Sequence, residues 1–264
     1  MDKTKQISRL KENLIDLKNK GCVVGLKTGT EIEDMDFDEI GWIKQLSDSV
    51  VPMTVKIGGP EARNDIRHCL KLKIDTILAP MIESVYALHN FVQTIDSLAA
   101  IYPKYPLRLA ANIESFEAVN RFDDMLASSS MQKLSQITIG RTDLSSSMHL
   151  TVDDDEVFAS ASKVVKKSLN RGLLTSLGGK ITLQNIGSVA RNIPVTRINT
   201  RHIVFENNEK FRSDPEGFLY RGLAFEQKLY GAMAKLFPEK KTHYENREKQ
   251  LFERMGSMRI IKKM

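Results

Sequence analysis

The sequence contains no long hydrophobic run and almost no cysteine. No window approaches the roughly 18 consecutive apolar residues of a membrane-spanning helix, and the first 20 residues lack the apolar core of a secretory signal. These absences argue against a membrane or secreted protein, and we expect a cytoplasmic one without a membrane partner. The two cysteines, Cys22 and Cys69, lie in apolar periodic segments rather than at the spacing of metal ligands, which favours reduced core residues.

The sequence also lacks a basic stripe of the kind that binds nucleic acid. The net charge is +6, but the excess of lysine and arginine lies within residues 1–20 and 238–264, and the region between them is close to neutral. Both ends have the pattern of charged amphipathic helices, and neither interleaves basic residues with aromatics. We therefore expect no nucleic-acid partner and interpret both ends as solvated helices.

Short β-rich runs alternate with helical periodicity through most of the chain. A repeated order of strand and helix predicts parallel strands joined by crossover helices. Six or more such units in a chain of 264 residues fit a (β/α)8 TIM barrel of the α/β class better than an open doubly wound sheet. The eighth strand is expected either from a division of the last run or from near the N-terminus. The predicted strands are 22–27, 52–57, 75–81, 107–113, 136–140, 173–178 and 194–205.

The C-terminal part of the chain predicts additional helices. We expect the barrel and an N-terminal helix over residues 1–237, and a charged helical extension over residues 238–264. Residues 215–236 carry more apolar surface than one helix face against a barrel needs, which predicts a homo-oligomer built through the C-terminal helices. The alternative is that this segment is the last helix of the barrel and that a solvated tail follows.

Carboxylates stand at the ends of predicted strands, where the active site of a barrel lies. The stretches "LAPMIES" and "LAANIES" end on Glu83 and Glu114, and Asp143 follows the next strand in "ITIGRTDLSSS". Two carboxylates from different strand ends suit a hard divalent cation such as Mg²⁺, and Glu114 with Asp143 forms the best pair. The alternative for either acid alone is that it caps the next helix.

The other predicted strand ends carry basic residues and glycines. Gly140 allows a sharp turn that points the following amides into the barrel mouth, where they bind an anion. Gly178 and Gly179 form either an anion cradle or a simple tight turn, and Arg201 binds either an anionic substrate or a carboxylate of the chain. No histidine has a matching serine for a Ser-His-Asp site. The remaining strand-end residues are Lys27, Glu31, Glu33, Lys56, Gly58, Gly59, Arg141 and Thr142.

Four segments resemble the HpcH/HpaI-type class II 2-oxo acid aldolase and citrate lyase β-subunit family of pyruvate-binding TIM barrels. They are "KIGGPEARNDI", "ILAPMIES", "LAANIESFEAV" and "ITIGRTDLSSSM", in that order, and the resemblance covers roughly residues 21–205. It implies a metal-dependent carbon–carbon lyase or aldolase that acts on a pyruvate-like oxo acid through a metal-stabilised enolate. Mg²⁺, or alternatively Mn²⁺, would be held by Glu114 and Asp143. The residues expected to bind the substrate are Gly58, Gly59, Glu83, Gly140, Arg141, Thr142 and Arg201.

The sequence departs from the family pattern at two positions. Lys56 stands where the family usually has an arginine, which keeps the charge but loses the bidentate fork. The aldolase histidine base is also missing from "KTGTEIEDM", so that Glu31, Glu33 or Lys27 would act as the acid or base if burial shifts its pKa toward neutrality. We expect Lys56, Glu31 and Lys27 to be catalytic, and the alternative for the two glutamates is a solvated loop.

Two other functions remain open at this point. A citrate-lyase-like enzyme would cleave an acyl-CoA substrate and would need a basic groove for the nucleotide. A barrel without lyase activity would serve as a binding or scaffold protein, with Lys56 as the mark of lost catalysis. Metal content would distinguish the scaffold protein from the aldolase and the citrate-lyase-like enzyme. Affinity for coenzyme A would distinguish these two enzymes from each other.

Overall fold

Eight strands form a closed barrel in chain order, which confirms the predicted fold. The computed structural model describes residues 3–255, so that residues 256–264 of the predicted C-terminal extension lie outside the described part. Each strand leads into the next around the ring. The strands are β1 (Val23–Gly29), β2 (Met53–Lys56), β3 (Thr76–Ala79), β4 (Arg108–Ile113), β5 (Gln136–Gly140), β6 (Leu174–Gly178), β7 (Arg197–Asn199) and β8 (Ile203–Glu206).

Helices surround the barrel and cover the apolar outer faces of its strands. Two short 3-10 turns, Ser129–Lys133 and Pro238–Lys240, complete the regular structure of the described residues. The helices are α1 (Lys3–Lys20), α2 (Phe37–Ser47), α3 (Arg63–Lys71), α4 (Val85–Ala99), α5 (Phe116–Asn120), α6 (Phe122–Ala127), α7 (Arg141–Ser147), α8 (Asp155–Asn170), α9 (Ile186–Asn192), α10 (Glu209–Ser213), α11 (Pro215–Leu236) and α12 (Lys241–Met255).

The last strand runs against the others, which a regular (β/α)8 barrel would not show. Strands β1 to β7 pair in parallel, but β8 is antiparallel to both β7 and β1. Only residues 200–202 separate β7 from β8, and a connection this short makes a hairpin because a parallel neighbour needs a crossover of about a dozen residues. The predicted run 194–205 therefore divides into two strands, and the second closes the ring.

Serines, and not the strand-end acids, cap the helices that follow the two I-E-S motifs. The Ser84 hydroxyl accepts a hydrogen bond from the Ala87 amide at 3.1 Å, and the Ser115 hydroxyl accepts one from the Ala118 amide at 3.2 Å. Each cap satisfies an amide of the first helical turn that has no partner within the helix. The Glu114 carboxylate is thereby left free to point elsewhere.

Helix α12 lies along α11 and covers part of its apolar surface within the same chain. Tyr244 and Leu251 of α12 are buried in the core. The Tyr244 hydroxyl donates to the carboxylate of Glu39 on α2, and the Lys240 ammonium lies 2.8 Å from the same carboxylate. Cys22 and Cys69 are free and buried, as expected. Among the helices of residues 3–255, none is both long and apolar enough to cross a membrane.

Candidate active site

A cavity of about 420 Å³ opens at the carboxyl ends of the strands. It brings together side chains from opposite sides of the ring and from the C-terminal helix α12, because the parallel strands all end at this mouth. Most of the predicted site residues meet here. Those that line the cavity are Lys27, Lys56, Glu114, Gly140, Thr142, Asp143 and Arg201.

The carboxylate of Glu114 is the most enclosed acid of this mouth. It follows β4 directly and is only 2% exposed. The Met81 amide donates to Oε1 at 3.0 Å, and the side-chain amide of Asn112 donates to Oε2 at 2.7 Å. A β-carbon at position 140 would come within 2.5 Å of Oε2, so that only glycine leaves room for this carboxylate. Gly140 therefore serves to seat Glu114 as well as to turn the chain.

Neighbouring carboxylates and one ammonium group have opposite effects on the pKa of Glu114. The pKa of Glu114 is raised, first by burial and then by the nearby carboxylates of Asp143 and Glu31, although Lys56 and the Met81 amide act in the opposite direction. Like charges that lie this close destabilise each other's ionised forms. A cation bound between Glu114 and Asp143 would relieve this repulsion.

Lys56 is a buried ammonium that bridges two carboxylates. Its Nζ lies 2.6 Å from Glu31 Oε2 and 3.4 Å from the Glu114 carboxylate. Burial opposes its charge, but Glu114 and Glu31 outweigh that effect and raise the pKa of Lys56. The side chain therefore stays protonated and acts as a donor and a positive charge, and not as a base. The Glu31 side chain is 33% exposed at the edge of the mouth.

The oxygen atoms at this end of the cavity fit a hard divalent cation. Residues 3–255 contain no group of three His, Cys, Asp or Glu side chains suited to a metal, so the protein would supply the two carboxylates of Glu114 and Asp143. Asn112 adds a third oxygen, because its buried Oδ1 has no hydrogen-bond partner in the described structure. Mg²⁺ binds through one or two carboxylates and keeps its other positions for water and substrate. The donor set thus fits the predicted metal.

Gly179 opens a small cradle beside two backbone amides. Its φ is +93°, and an added β-carbon would lie 2.5 Å from the Thr142 amide nitrogen and 2.9 Å from that of Arg141. This conformation favours glycine, and the missing side chain leaves the amides accessible from the cavity. Of the two alternatives for this pair of glycines, the geometry has the features of an anion cradle.

Four predicted substrate-binding residues lie elsewhere or are engaged with the chain. Gly58 and Gly59 are not in the cavity wall, and the Gly58 amide donates to Asp65 at 2.8 Å. Glu83 also lies outside the wall and accepts a hydrogen bond from the Ser115 hydroxyl. The Arg141 guanidinium is fully buried and donates to the carbonyl oxygens of residues 152 and 179. The Gly58 amide and the side chains of Glu83 and Arg141 therefore bond within the chain, and of these residues only Arg141 reaches the cradle, through its backbone amide.

Three residues of this region escaped the sequence-based prediction. Asn112 carried a signal, since it lies two residues before Glu114 and side chains two apart on a strand share a face. His202 is buried between the barrel and α11, with its Nδ1 2.9 Å from the Lys27 carbonyl oxygen. Arg254 reaches the cavity from α12. Neither of these two could be placed from sequence spacing, because each depends on how distant segments pack.

Comparison with known protein families agrees with this geometry. The sequence model of the HpcH/HpaI aldolase/citrate lyase family matches residues 49–226, which include β2 through β8 and both candidate metal ligands. The chain belongs to this HpcH/HpaI aldolase/citrate lyase family. Its members are lyases of the aldolase and citrate lyase type, so this chain is an enzyme of that class. Among curated proteins, none matches the sequence.

Solved structures of the HpcH/HpaI family share the fold at low sequence identity. An HpcH/HpaI aldolase from Desulfitobacterium hafniense DCB-2 is 16% identical, with a TM-score of 0.53 over 68% of this chain and 86% of that one. The citrate synthase SbnG is 14% identical, with a TM-score of 0.52 over 71% of this chain and 89% of that one. A likeness at this identity shows the barrel alone.

Proposed function

We propose that this member of the HpcH/HpaI family is a divalent-metal-dependent carbon–carbon lyase or aldolase that acts on a small pyruvate-like 2-oxo acid. The observation that carries the proposal is the meeting of Glu114, Asp143 and the unpartnered oxygen of Asn112 in one cavity. A family of lyases and a donor set for a hard cation point to the same chemistry.

The two carboxylates would hold Mg²⁺ or Mn²⁺, and Asn112, which lines the same cavity, would offer its unpartnered Oδ1 as a further oxygen. When bound there, the cation supplies Lewis-acid stabilisation of the negative charge that develops on the 2-oxo oxygen as the carbon–carbon bond breaks. The seat of Glu114 is fixed in advance by the Met81 and Asn112 donors and by the missing side chain at Gly140. Such preorganisation spares the site a rearrangement during the reaction.

The chain's own donors position the oxo acid. The Arg141 and Thr142 amides beside Gly179 bind its carboxylate. The Lys56 ammonium faces the cavity and places a positive charge near the reacting oxygen, while Glu31 holds that ammonium in place at 2.6 Å. A single ammonium replaces the paired donors of an arginine, so that the contact to the substrate oxygen is one hydrogen bond rather than two. The acid–base roles assigned to Glu31 and Lys27 stay predictions.

Calorimetric titration with Mg²⁺ and Mn²⁺ tests the metal site. Glu114→Gln and Asp143→Asn should each abolish binding, because each removes one of two charged ligands, and circular dichroism should show an intact fold. Asp124→Asn removes an exposed carboxylate on α6 and serves as the control, with wild-type affinity expected. Unchanged affinity in both ligand variants would contradict the assignment.

Release of pyruvate from 4-hydroxy-2-oxo acids, coupled to lactate dehydrogenase, tests the reaction. Activity should require the divalent cation and should disappear in both ligand variants. Tight binding of coenzyme A, or cleavage of an acyl-CoA, would favour the citrate-lyase-like alternative instead. Within this proposal the reaction takes place in the cytoplasm, the partner is a small oxo acid, and no membrane or nucleic acid is involved.

A further inference from the structure

A second, smaller cavity of about 20 Å³ lies inside the barrel, at the end opposite the candidate active site. All eight strands contribute residues to its wall, so it lies on the axis of the ring. Strands β3, β4, β5 and β7 each contribute their first residue, Thr76, Arg108, Gln136 and Arg197. Bulky branched side chains usually fill this layer of a barrel. Here most of the lining side chains are polar, and a small space remains between them.

The charge of this inner cavity is positive. Among the described residues that line it, three carry cationic side chains, Lys27, Arg108 and Arg197, and none carries a carboxylate. None of the three forms an ion pair within residues 3–255. Cationic groups that are withdrawn from water are costly unless an opposite charge or a hydrogen-bond acceptor satisfies them. The cavity therefore favours an anion.

The two arginines at the amino end of the barrel repel each other. Both are half-buried, and burial and then Arg108 lower the pKa of Arg197, whereas Glu206 acts in the opposite direction. Glu206 is exposed, accepts a hydrogen bond from Asn208 and does not belong to the cavity wall. The nearby acid thus leaves the inside of the cavity without a negative charge. An anion bound there would offset the repulsion.

A short chain of hydrogen bonds holds one of the guanidinium groups in place. Arg197 donates from Nη1 to Oε1 of Gln136 at 2.9 Å, and Gln136 donates from Nε2 to the Thr138 hydroxyl at 3.0 Å. Gln136 is buried, so this arrangement is fixed by the packing of the barrel. Donors that are held before a ligand arrives lose little entropy when it binds.

A buried hydroxyl in the same wall has an unused donor. Ser176 is 1% exposed, and its Oγ has no hydrogen-bond partner in the described structure. Its O–H can donate to an anion in the cavity that it lines. The buried Oδ1 of Asn199, in the same wall, is also without a partner, but the side-chain amide offers donors as well as an acceptor.

The size of the cavity selects a small ion. A cavity needs about 10 to 15 Å³ to hold one water molecule. The space of about 20 Å³ therefore takes one particle of the size of water or of a halide ion. Phosphate and sulfate carry four oxygens around a central atom and are too large to enter whole.

We propose that this inner cavity, with donors from Arg108, Arg197 and Ser176, binds one anion of halide size, such as chloride. The ion acts as an internal counter-ion that stabilises the closed barrel, and the inference does not depend on lyase activity. Lys27 and Thr138 line both this cavity and the candidate active site. The bound anion would thus also offset the charge of Lys27 from the side opposite the substrate.

Urea unfolding in chloride tests the proposal. Chloride replaces gluconate at constant ionic strength, because gluconate is too large for the cavity. Above the dissociation constant, each tenfold increase in chloride should raise the ratio of folded to unfolded protein about tenfold, since one anion binds the folded chain alone. A ratio that does not respond to chloride would overturn the proposal and leave a water molecule as the occupant.

Variants of the wall locate the effect. Arg108→Gln and Arg197→Gln should each weaken chloride binding about tenfold or more, because each removes a charged donor. Ser176→Ala should weaken it several-fold, and it removes a hydroxyl that bonds to nothing else in the described structure, so the fold should persist even where an arginine variant fails to fold. Arg171→Gln removes an exposed guanidinium at the end of α8 and is the matched control. A wild-type chloride response in all three wall variants would contradict the site.

Bromide, which scatters X-rays anomalously, tests the position of the ion. Crystals grown in bromide should show an anomalous peak in the inner cavity of the wild type and none in Arg197→Gln. A peak without any chloride-dependent stability would mark an adventitious ion only and overturn the proposal, as would sulfate that stabilises as well as chloride does. Glu114→Gln should keep the wild-type chloride response, so failure of the metal site and failure of the anion site are distinguishable.

Discussion

Lys56 and Glu31 form an ion pair at the barrel mouth, with 2.6 Å between Nζ and Oε2, and the same ammonium lies 3.4 Å from the buried carboxylate of Glu114. The Lys56 ammonium thus interacts with two carboxylates, Glu31 and Glu114, that follow different strands. Because its charge is held inside the cavity and partly neutralises a candidate metal ligand, Lys56 affects both the reaction and the affinity for metal.

We predict that the loss of Lys56 lowers turnover without weakening the affinity for metal. Lys56→Ala should lower kcat by about 10²-fold, since it removes a donor aimed at the developing oxyanion. The affinity for Mg²⁺ should stay equal or become tighter, because Glu114 loses a competing positive charge. Kinetics of pyruvate release and calorimetry measure the two quantities. Lys56→Arg keeps the charge and is the control, and a turnover that is insensitive to Lys56→Ala would make the lysine structural.

The buried imidazole of His202 should make the fold sensitive to acid. Burial lowers its pKa below the ordinary value of 6.5, against the opposing effects of Glu226 and Glu33. The unfolded chain therefore binds a proton near pH 6.5 that the folded chain resists, and the free energy of unfolding falls as the pH drops below that value. Lys27, Arg201 and Tyr230 are the other titratable groups around the ring.

Urea unfolding at two pH values measures this effect. Between about pH 7.5 and about pH 5, the wild type should lose more of its unfolding free energy than His202→Asn does, by an amount that cannot exceed about 2 kcal/mol. His149→Asn replaces an exposed histidine and serves as the matched control. Identical slopes for the wild type and His202→Asn would show that the buried ring does not contribute.

Two glycines of α11 should respond to alanine in opposite directions. A β-carbon at Gly222 would come within 2.5 Å of the buried Phe205 ring, so Gly222→Ala should destabilise the fold by about 1 to 3 kcal/mol. Gly231 lies in the same helix with no atom within 4 Å of an added β-carbon. Gly231→Ala should therefore stabilise the fold by about 0.5 to 1 kcal/mol through helix propensity. Denaturant unfolding of both variants checks the pair.

We predict a homo-oligomer built through the C-terminal helices. Helix α12 covers part of α11 within the same chain, but Phe252 of α12 remains 41% exposed. Light scattering should show a dimer or larger assembly at micromolar concentration, and a full-length monomer would refute the prediction. An assembly that dissociates on truncation after Phe237 would place the interface in the extension, and one that survives would place it on α11.

The local pattern of the sequence was sufficient to predict the barrel and one end of its cavity. Alternating strands and helices imply parallel pairing, and parallel pairing brings all strand ends to one mouth. Glu114 follows β4 directly and Asp143 lies in the first turn of α7, just after β5, so their presence in one cavity could be predicted from the order of elements. The I-E-S motif also indicated a helix start, although it did not show that the serine takes the capping role and frees the acid.

Only the tertiary structure decided the direction of β8, the partners of Lys56 and the contribution of α12. The hairpin at residues 200–202 depends on where the ring closes, and periodicity does not encode that. Lys56 and Glu114 are 58 residues apart in sequence, and Arg254 and Ile181 are 73 apart. Contacts over such separations depend on how the barrel closes and where α12 docks, because local propensity fixes the elements while burial and charge pairing fix their neighbours.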